Sequence, residues 1–126
     1  MNKDLTLNIP VMDAMHDEFE TLLLALQNSS QSEFMTLFQE MIEHTAEHFK
    51  TEENIMNAHN FYDKKEHFDE HANLLGEMKY FYEKAKKHPM FGKSYINDYA
   101  YEKFRRHIVN IDSQLAMFLK EKNLEK

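Results

Sequence analysis

Glycine and proline are nearly absent from this sequence, and their scarcity is the strongest constraint on its fold. The 126 residues contain two glycines and two prolines, Gly76, Gly92, Pro10 and Pro89. Tight hairpin turns and phosphate-binding loops depend on these residue types, so the sequence disfavours both sheet-rich folds and phosphate loops. Apolar residues instead recur at steps of three and four, which is the period of a helix with one buried face.

Four stretches of the sequence show this helical period, and only a few residues separate each from the next. We predict helices at about residues 11–28, 32–57, 63–87 and 94–121. Residues 1–10 are predicted as an N-terminal arm, and residues 1–126 as a single domain. Short connections between long helices force neighbouring helices to run antiparallel. The sequence therefore predicts an all-α fold, an up-down-up-down antiparallel four-helix bundle.

The ends of the predicted helices are assigned from small polar residues and proline. Ser32, Asp63 and Ser94 are the predicted N-caps of the second, third and fourth helices, because their side-chain oxygens can accept hydrogen bonds from free amides. Pro89 is predicted to end the third helix, since its ring clashes with a preceding helical turn. Residues 91–94 are then the one candidate hinge between the third and fourth helices.

Composition and charge exclude several classes of function. Lys and Arg number 15 against 22 Asp and Glu, and the formal net charge of −7 disfavours nucleic-acid and membrane partners. The sequence has no cysteine, which excludes disulfides, thiolate metal sites and thiol chemistry. No apolar run approaches the ~20 residues of a membrane span, and the first ten residues do not resemble a signal peptide. We therefore expect a cytoplasmic protein.

Histidines and carboxylates interrupt the apolar stripes of all four predicted helices. The inward-facing polar residues are His16, His48, Glu52, His67, His71, His107 and Asp112. His48 and Glu52 are four residues apart. So are His67 and His71, and side chains at this spacing share one helix face with Cβ atoms about 5–6 Å apart. Each pair can therefore bind one ion or bridge two.

The step from His107 to Asp112 is one residue longer and does not fit an ideal helix. Five residues turn the second side chain about 140° away from the first. Two explanations stay open, a local distortion of the helix or a site that lies between the two side chains.

The other three histidines are not predicted as ligands. His44 lies one turn before His48 and is expected at the rim of the site. His59 and His88 fall in predicted connections, where we expect them to be solvated.

Burying these polar groups in the core of a small domain requires a partner for each. An unsatisfied buried polar group costs about 1–3 kcal/mol, and a whole domain has only about 5–15 kcal/mol of stability. The inward set therefore predicts a metal centre. Seven ligands exceed the four that zinc prefers, whereas imidazole with bridging carboxylate suits a pair of irons in the core of a bundle.

Charge and ligand count indicate what such a pair of irons would do. With two carboxylates and a bridging hydroxide, the site keeps a charge of roughly +1. A nitrogen-rich, cationic site favours reversible binding of O2 or small anions over the oxidation of substrates. Five histidines divide as three and two, which leaves one iron with an open position.

The sequence resembles the hemerythrin family, specifically the single-domain bacteriohemerythrins. The resemblance covers nearly the whole chain, through residues 12–16, 43–53, 67–71 and 107–112, and it matches all seven ligand positions of the family. The five-residue step from His107 to Asp112 is the family's own spacing.

The resemblance implies a role for each ligand. The six-coordinate iron would be bound by His67, His71 and His107. The five-coordinate iron would be bound by His16 and His48. The bridging carboxylates would be Glu52 and Asp112, with an oxo or hydroxo bridge completing the pair.

The resemblance also implies a function. O2 would bind as peroxide at the five-coordinate iron, in a protein that carries, stores or locally supplies oxygen and is not an enzyme. Its partners would be O2 or small anions. Two alternatives stay open: a di-iron enzyme that acts on NO or peroxide or repairs iron–sulfur centres, and an oxygen sensor acting in trans.

The sequence departs from the family at positions outside the ligand set. Met15 stands where many bacterial members have Gln, and the sequence has no Trp, which many members carry in the N-terminal arm. These departures concern the lining of the pocket, the autoxidation rate and the O2 affinity. Phe104 and Ile108 flank His107 and are candidates for the apolar wall of an O2 pocket, although simple core packing explains either equally well.

Overall fold

All of the secondary structure in the described chain is helical. A computed structural model of the protein describes residues 5–122, in which no strand occurs. The first three helices are α1 (Pro10–Gln27), α2 (Gln31–Ala58) and α3 (Lys64–Lys87). The fourth, α4, spans residues 89–121 in five consecutive parts, Pro89–Ser94, Tyr95–Tyr99, Ala100–His107, Ile108–Asp112 and Ser113–Glu121. The prediction of an all-α protein with four helices is therefore confirmed.

The N-terminal arm is only partly described, because residues 1–4 lie outside the described range. Residues 5–9 precede α1, and Leu5 and Ile9 in this segment are buried. The backbone amide of Leu7 donates a hydrogen bond to Asp13 Oδ1 at 2.9 Å. The visible part of the arm is thus attached to the first turn of α1.

The N-cap of α2 is Ser30, and the prediction of Ser32 was wrong. The amide and the hydroxyl of Ser30 both donate to Glu33 Oε1, at 3.3 and 2.9 Å. A serine followed three residues later by glutamate forms a capping box, a pattern that Ser30 satisfies and Ser32 does not. Asp63 does occupy the N-cap position of α3, although its side chain makes no capping hydrogen bond.

α4 begins at Pro89, five residues before the predicted cap Ser94. Proline suits the first position of a helix, because its fixed φ is helical and its missing N–H would have no partner there. The connection between α3 and α4 is therefore His88 alone. Residues 91–94 are helical, so the prediction that they form a hinge was also wrong.

Two turns of α4 are π-helical, and one of them resolves the spacing problem of the sequence. The turn Ile108–Asp112 begins directly after His107. A π turn contains about one residue more than an α turn, so side chains five apart return to the same face. Of the two explanations for the His107 to Asp112 step, the local distortion is therefore the observed one. The other π turn, Tyr95–Tyr99, had no signal in the sequence.

Buried apolar residues form two clusters, with the polar inward residues between them. The large cluster consists of Leu5, Phe19, Leu23, Leu26, Phe34, Phe38, Met41, Ile42, Met78, Tyr95, Ile96, Ala100, Phe104 and Ile108. The small cluster consists of Ile9, Met12, Met15, Met56, Phe61, Leu115, Ala116, Phe118 and Leu119.

Successive helices meet the two clusters in alternating order. α1 passes from Met12 in the small cluster to Leu23 in the large one. α2 runs the opposite way, from Phe38 in the large cluster to Met56 in the small one. α3 starts beside the small cluster and reaches the large one later, and α4 again reverses the order. In each helix, the inward histidines or carboxylates lie where the helix passes from one apolar cluster to the other.

No helix in the described residues is long and apolar enough to cross a lipid bilayer.

We predict opposite effects of alanine at the two glycines. A Cβ on Gly92 would lie 2.6 Å from Ala85 Cβ on α3 and 3.0 Å from a ring carbon of Phe34. Overpacking of this kind costs about 1–3 kcal/mol, so Gly92→Ala should destabilise the protein despite the better helix propensity of alanine. Urea unfolding of the metal-free protein measures the change.

Gly76→Ala is the matched control. A Cβ at Gly76 would have no described neighbour within 4 Å, and the residue lies exposed in the middle of α3. This substitution should stabilise the protein by about 0.5–1 kcal/mol, because glycine is a poor helix former. Equal effects of the two substitutions would contradict the close packing of α3 on α4.

Candidate metal centre

Five of the predicted ligands come together as one buried group between the two apolar clusters. Their ligand atoms all lie within 4.8 Å of one another, and the residues are Glu52, His67, His71, His107 and Asp112. Glu52 comes from α2, the next two from α3, and the last two from either end of the π turn in α4. Each of the five is at most 5% exposed. This buried group could hold a metal ion.

The Nε2 atoms of three histidines face the two carboxylates. His71 Nε2 lies 3.1 Å from Glu52 Oε1, and His67 Nε2 lies 3.3 Å from the same oxygen. On Asp112, Oδ1 lies 3.0 Å from His67 Nε2 and 3.1 Å from His107 Nε2. One oxygen of each carboxylate is therefore shared by two imidazoles.

Asp112 Oδ2 is hydrogen-bonded to His16, whereas Oδ1 contacts imidazole nitrogen without a hydrogen bond. Neither Asp112 Oδ1 nor His107 Nε2 has a hydrogen-bond partner among the described residues, although the two atoms are 3.1 Å apart. Leaving a buried polar atom unsatisfied costs about 1–3 kcal/mol. A cation bound between such atoms would satisfy both, since imidazole nitrogen and carboxylate oxygen each offer it a lone pair. The donor set therefore fits a metal ion.

The ring of His71 is fixed by two neighbours that sequence reasoning missed. Its Nδ1–H donates to Glu53 Oε2 at 2.9 Å, which orients the ring so that Nε2 faces Glu52 Oε1 at 3.1 Å. Phe49 stacks on the same ring, with centroids 3.8 Å apart and planes 1° apart. Glu53 and Phe49 lie next to inward residues on α2, but the sequence gives no sign that they turn towards α3.

His16 contacts the carboxylates from the opposite side. Its Nε2 lies 2.8 Å from Asp112 Oδ2 and 4.0 Å from Glu52 Oε2. These are the oxygens that do not face the three-histidine side. Each carboxylate thus has one oxygen towards His67 and its neighbours and the other towards His16.

His48 is, with His16, one of the two predicted ligands outside the five-residue group, and it is the more exposed of the two. Its Nε2 lies 3.5 Å from Glu18 Oε2 on α1, and its side chain is 14% exposed. It nevertheless lines a cavity together with His16, Glu52 and Asp112. Burial lowers the pKa of His48 by more than the Glu18 carboxylate raises it, so the ring is neutral at pH 7.

The three histidines that were not predicted as ligands are all more exposed. The side chain of His44 is 43% exposed and pairs with Glu18. His59 and His88 are exposed, each directly after the end of a helix.

A small cavity of about 50 Å³ lies against the centre. Besides the polar residues, its walls are mostly apolar, and they include Met15, Phe19, Phe49, Leu74, Met78, Ala100 and Phe104. The other predicted wall residue, Ile108, does not line it and is packed in the large cluster. Thr45 also lines the cavity, and its hydroxyl oxygen is buried with no described hydrogen-bond partner. The cavity therefore offers a small molecule an apolar space with one free hydroxyl.

In the metal-free chain, the carboxylates hold protons on the buried imidazoles. Burial alone lowers the pKa of His67, but the Asp112 and Glu52 carboxylates outweigh it and raise the pKa to about 9. The pKa values of His16 and His107 are raised by Asp112 in the same way. Burial would raise the pKa of Asp112, yet the surrounding imidazoles hold it well below its usual range. A metal ion entering this group therefore displaces protons.

Comparisons of the chain with known protein families, with curated proteins and with solved structures found no match.

We predict that Asp112→Asn lowers the pKa of His67 in the metal-free protein. The carboxylate is a principal cause of the raised value of about 9, so its loss should bring the pKa well below 9, with Glu52 left as the carboxylate that still raises it. NMR titration of the histidine ring protons measures it. Asp69→Asn is the control, because Asp69 is exposed and pairs with Lys65 instead. A His67 pKa that stays near 9 in Asp112→Asn would contradict the assignment.

Stability should fall as the pH rises above 6.5 in the metal-free protein, whereas the metal-loaded protein should lose stability as the pH falls. The folded pKa of His67, about 9, exceeds its unfolded value of 6.5, so protonation fully stabilises the metal-free fold below pH 6.5. That contribution is lost as the pH rises to about 9. Bound metal needs neutral imidazoles, so the loaded protein should lose stability only below about pH 6.5. The unfolding temperature of each form, measured across this pH range, tests both directions. The same pH dependence in the two forms would contradict them.

Proposed function

We propose that this chain is a non-catalytic, O2-binding di-iron protein that serves the carriage, storage or local supply of oxygen. One observation carries the proposal: Glu52 and Asp112 each direct one oxygen to a three-histidine side and the other to the His16 side. A carboxylate whose two oxygens face different sets of histidines is suited to bridge two metal ions rather than to chelate one.

The alternating order of the clusters supports the bundle topology of the proposal. Each helix meets the small and large clusters in the reverse order of the helix before it. An up-down-up-down bundle gives this alternation, because consecutive helices then run antiparallel. In such a bundle, every helix passes from one cluster to the other near the middle of the core, and the polar residues converge there.

Two ligand sets of unequal size support an asymmetric pair of irons. His67, His71 and His107 form the larger set. The smaller set is His16 with His48, which both line the cavity. The iron on the smaller side would keep a vacant position there. Two ferrous ions bound at these sites would supply the two electrons that O2 takes up reversibly.

The residues around the vacancy favour binding over turnover. Phe19, Phe104 and Met15 give the cavity apolar walls, which would slow proton delivery to a bound molecule. The Thr45 hydroxyl can donate one hydrogen bond to a small ligand. The cavity of about 50 Å³ has room for O2 or a small anion. This size and lining favour a binding protein over an enzyme that repairs iron–sulfur centres.

We predict that His16→Ala abolishes reversible O2 binding while the protein stays helical. His16 is the inward histidine of α1, and its loss removes a nitrogen ligand from the side with the vacancy. The wild-type protein should contain two irons per chain and gain a visible absorption band in air that disappears on deoxygenation. Circular dichroism checks that the variant remains folded.

His59→Ala is the matched control, because His59 is exposed and lies outside the centre. It should keep both the iron content and the reversible band. Wild-type protein with a single iron would contradict the di-iron centre. Two irons without a reversible band, together with turnover of NO or peroxide, would favour the enzymatic alternative.

A further inference from the structure

A second group of metal-binding side chains lies beside the buried centre, at the protein surface. It consists of Glu18 on α1 and of His44 and His48 on α2, with ligand atoms within 4.8 Å of one another. His44 Nδ1 contacts Glu18 Oε1, and His48 Nε2 lies 3.5 Å from Glu18 Oε2. We call these three residues the outer group.

The chemistry of the outer group suits a divalent transition metal. His44 and His48 are four residues apart on α2, so both rings can bind the same ion from one helix face. Glu18 adds a carboxylate from the neighbouring helix. Two imidazoles and one carboxylate bind Zn²⁺, Fe²⁺ or Co²⁺ in proteins and leave further positions to water. An ion pair between Glu18 and His44 alone would not explain why the imidazole of His48 also faces Glu18.

Exposure falls along the outer group towards the buried centre. The side chains of Glu18 and His44 are 45% and 43% exposed, whereas that of His48 is 14% exposed. An ion bound here remains in contact with water, so it exchanges more readily than an ion in the buried group. The formal net charge of −7 further attracts cations to the surface.

His48 connects the outer group with the buried centre. It contacts Glu18 on one side, and it lines the cavity with His16, Glu52 and Asp112 on the other. Glu52 follows His48 by one helical turn on α2, so the two side chains share a face. His48 is thus the one residue common to the outer group and the cavity.

We propose that Glu18, His44 and His48 form an outer site for a divalent transition-metal ion, and that ions reach the buried centre through it with His48 as the shared ligand. The transfer is a ligand exchange without redox change. The ion leaves Glu18 and His44, remains beside His48, and gains ligands on the cavity side. The delivery step rests on the proposed di-iron function, whereas the outer site itself does not.

Zinc alone tests the outer site. Zn²⁺ is titrated into the metal-free protein in competition with a chromophoric chelator. His44→Ala should lose one weaker equivalent of Zn²⁺ and keep the tighter binding of the buried group, with an affinity loss of about tenfold or more at the outer site. Glu18→Gln should weaken the same equivalent, whereas Glu43→Gln, an exposed neighbour of His44, should not. Zinc isotherms of His44→Ala and wild type that coincide would overturn the proposal.

Anaerobic uptake of Fe²⁺ tests delivery. His44→Ala should take up iron several-fold more slowly than wild type and reach the same final content, because the buried ligands are intact. His59→Ala should match wild type. Equal rates in His44→Ala and wild type would overturn the proposal, as would a lower final content at an unchanged rate. Wild type that ends with one iron would instead contradict the di-iron function, and the comparison of rates would still decide whether the outer site delivers metal.

Discussion

The buried carboxylate of Asp112 is the interaction on which the rest of the centre depends. It is 1% exposed and lies within 3.1 Å of imidazole nitrogens from three histidines, on α1, α3 and α4. A negative charge removed from water in this way needs a cation, which is a proton on an imidazole or a metal ion. Protons fill that need in the metal-free chain, as the raised pKa of His67 indicates. The same arrangement that stores protons therefore prepares the site for metal.

The backbone of α4 makes this arrangement possible. In a regular α-helix, His107 and Asp112 would point about 140° apart. The π turn Ile108–Asp112 brings them to one face, where His107 Nε2 and Asp112 Oδ1 lie 3.1 Å apart. π turns are rare within α-helices, and they recur at functional sites. The large cluster packs against Ile108 at the start of the turn and holds it in place.

Much of the fold and of the ligand set follows from periodicity in the sequence. Buried apolar spacing located the four helices, and four-residue steps placed His67 with His71 on one face, where the structure has them. The spacing of His107 and Asp112 fits no regular helix, but it left open whether the helix is distorted or the site lies between the two side chains, and the structure shows the distortion. Helix ends were predicted less well. The N-cap of α2 is decided by the reciprocal bonds between Ser30 and Glu33, which Ser32 cannot make, and Pro89 both follows the end of α3 and starts α4.

Contacts between helices leave weaker traces in a single sequence. Glu53 bonds to His71 and Phe49 stacks on it, yet neither shares the inward spacing of the ligands. The pairing of His48 with Glu18 depends on how α1 lies against α2, which periodicity within one helix does not determine. The π turn Tyr95–Tyr99 likewise has no spacing of polar residues to reveal it.

We propose that Glu52 and Asp112 bridge two unequal iron sites. Mössbauer spectroscopy of the air-oxidised protein loaded with ⁵⁷Fe tests it most directly. Irons joined through carboxylate and oxygen bridges couple their spins, and unequal histidine counts make their surroundings differ. We expect two quadrupole doublets of equal area from a spin-coupled ferric pair. A magnetically split spectrum of isolated high-spin ferric ions, with one iron per chain, would contradict it.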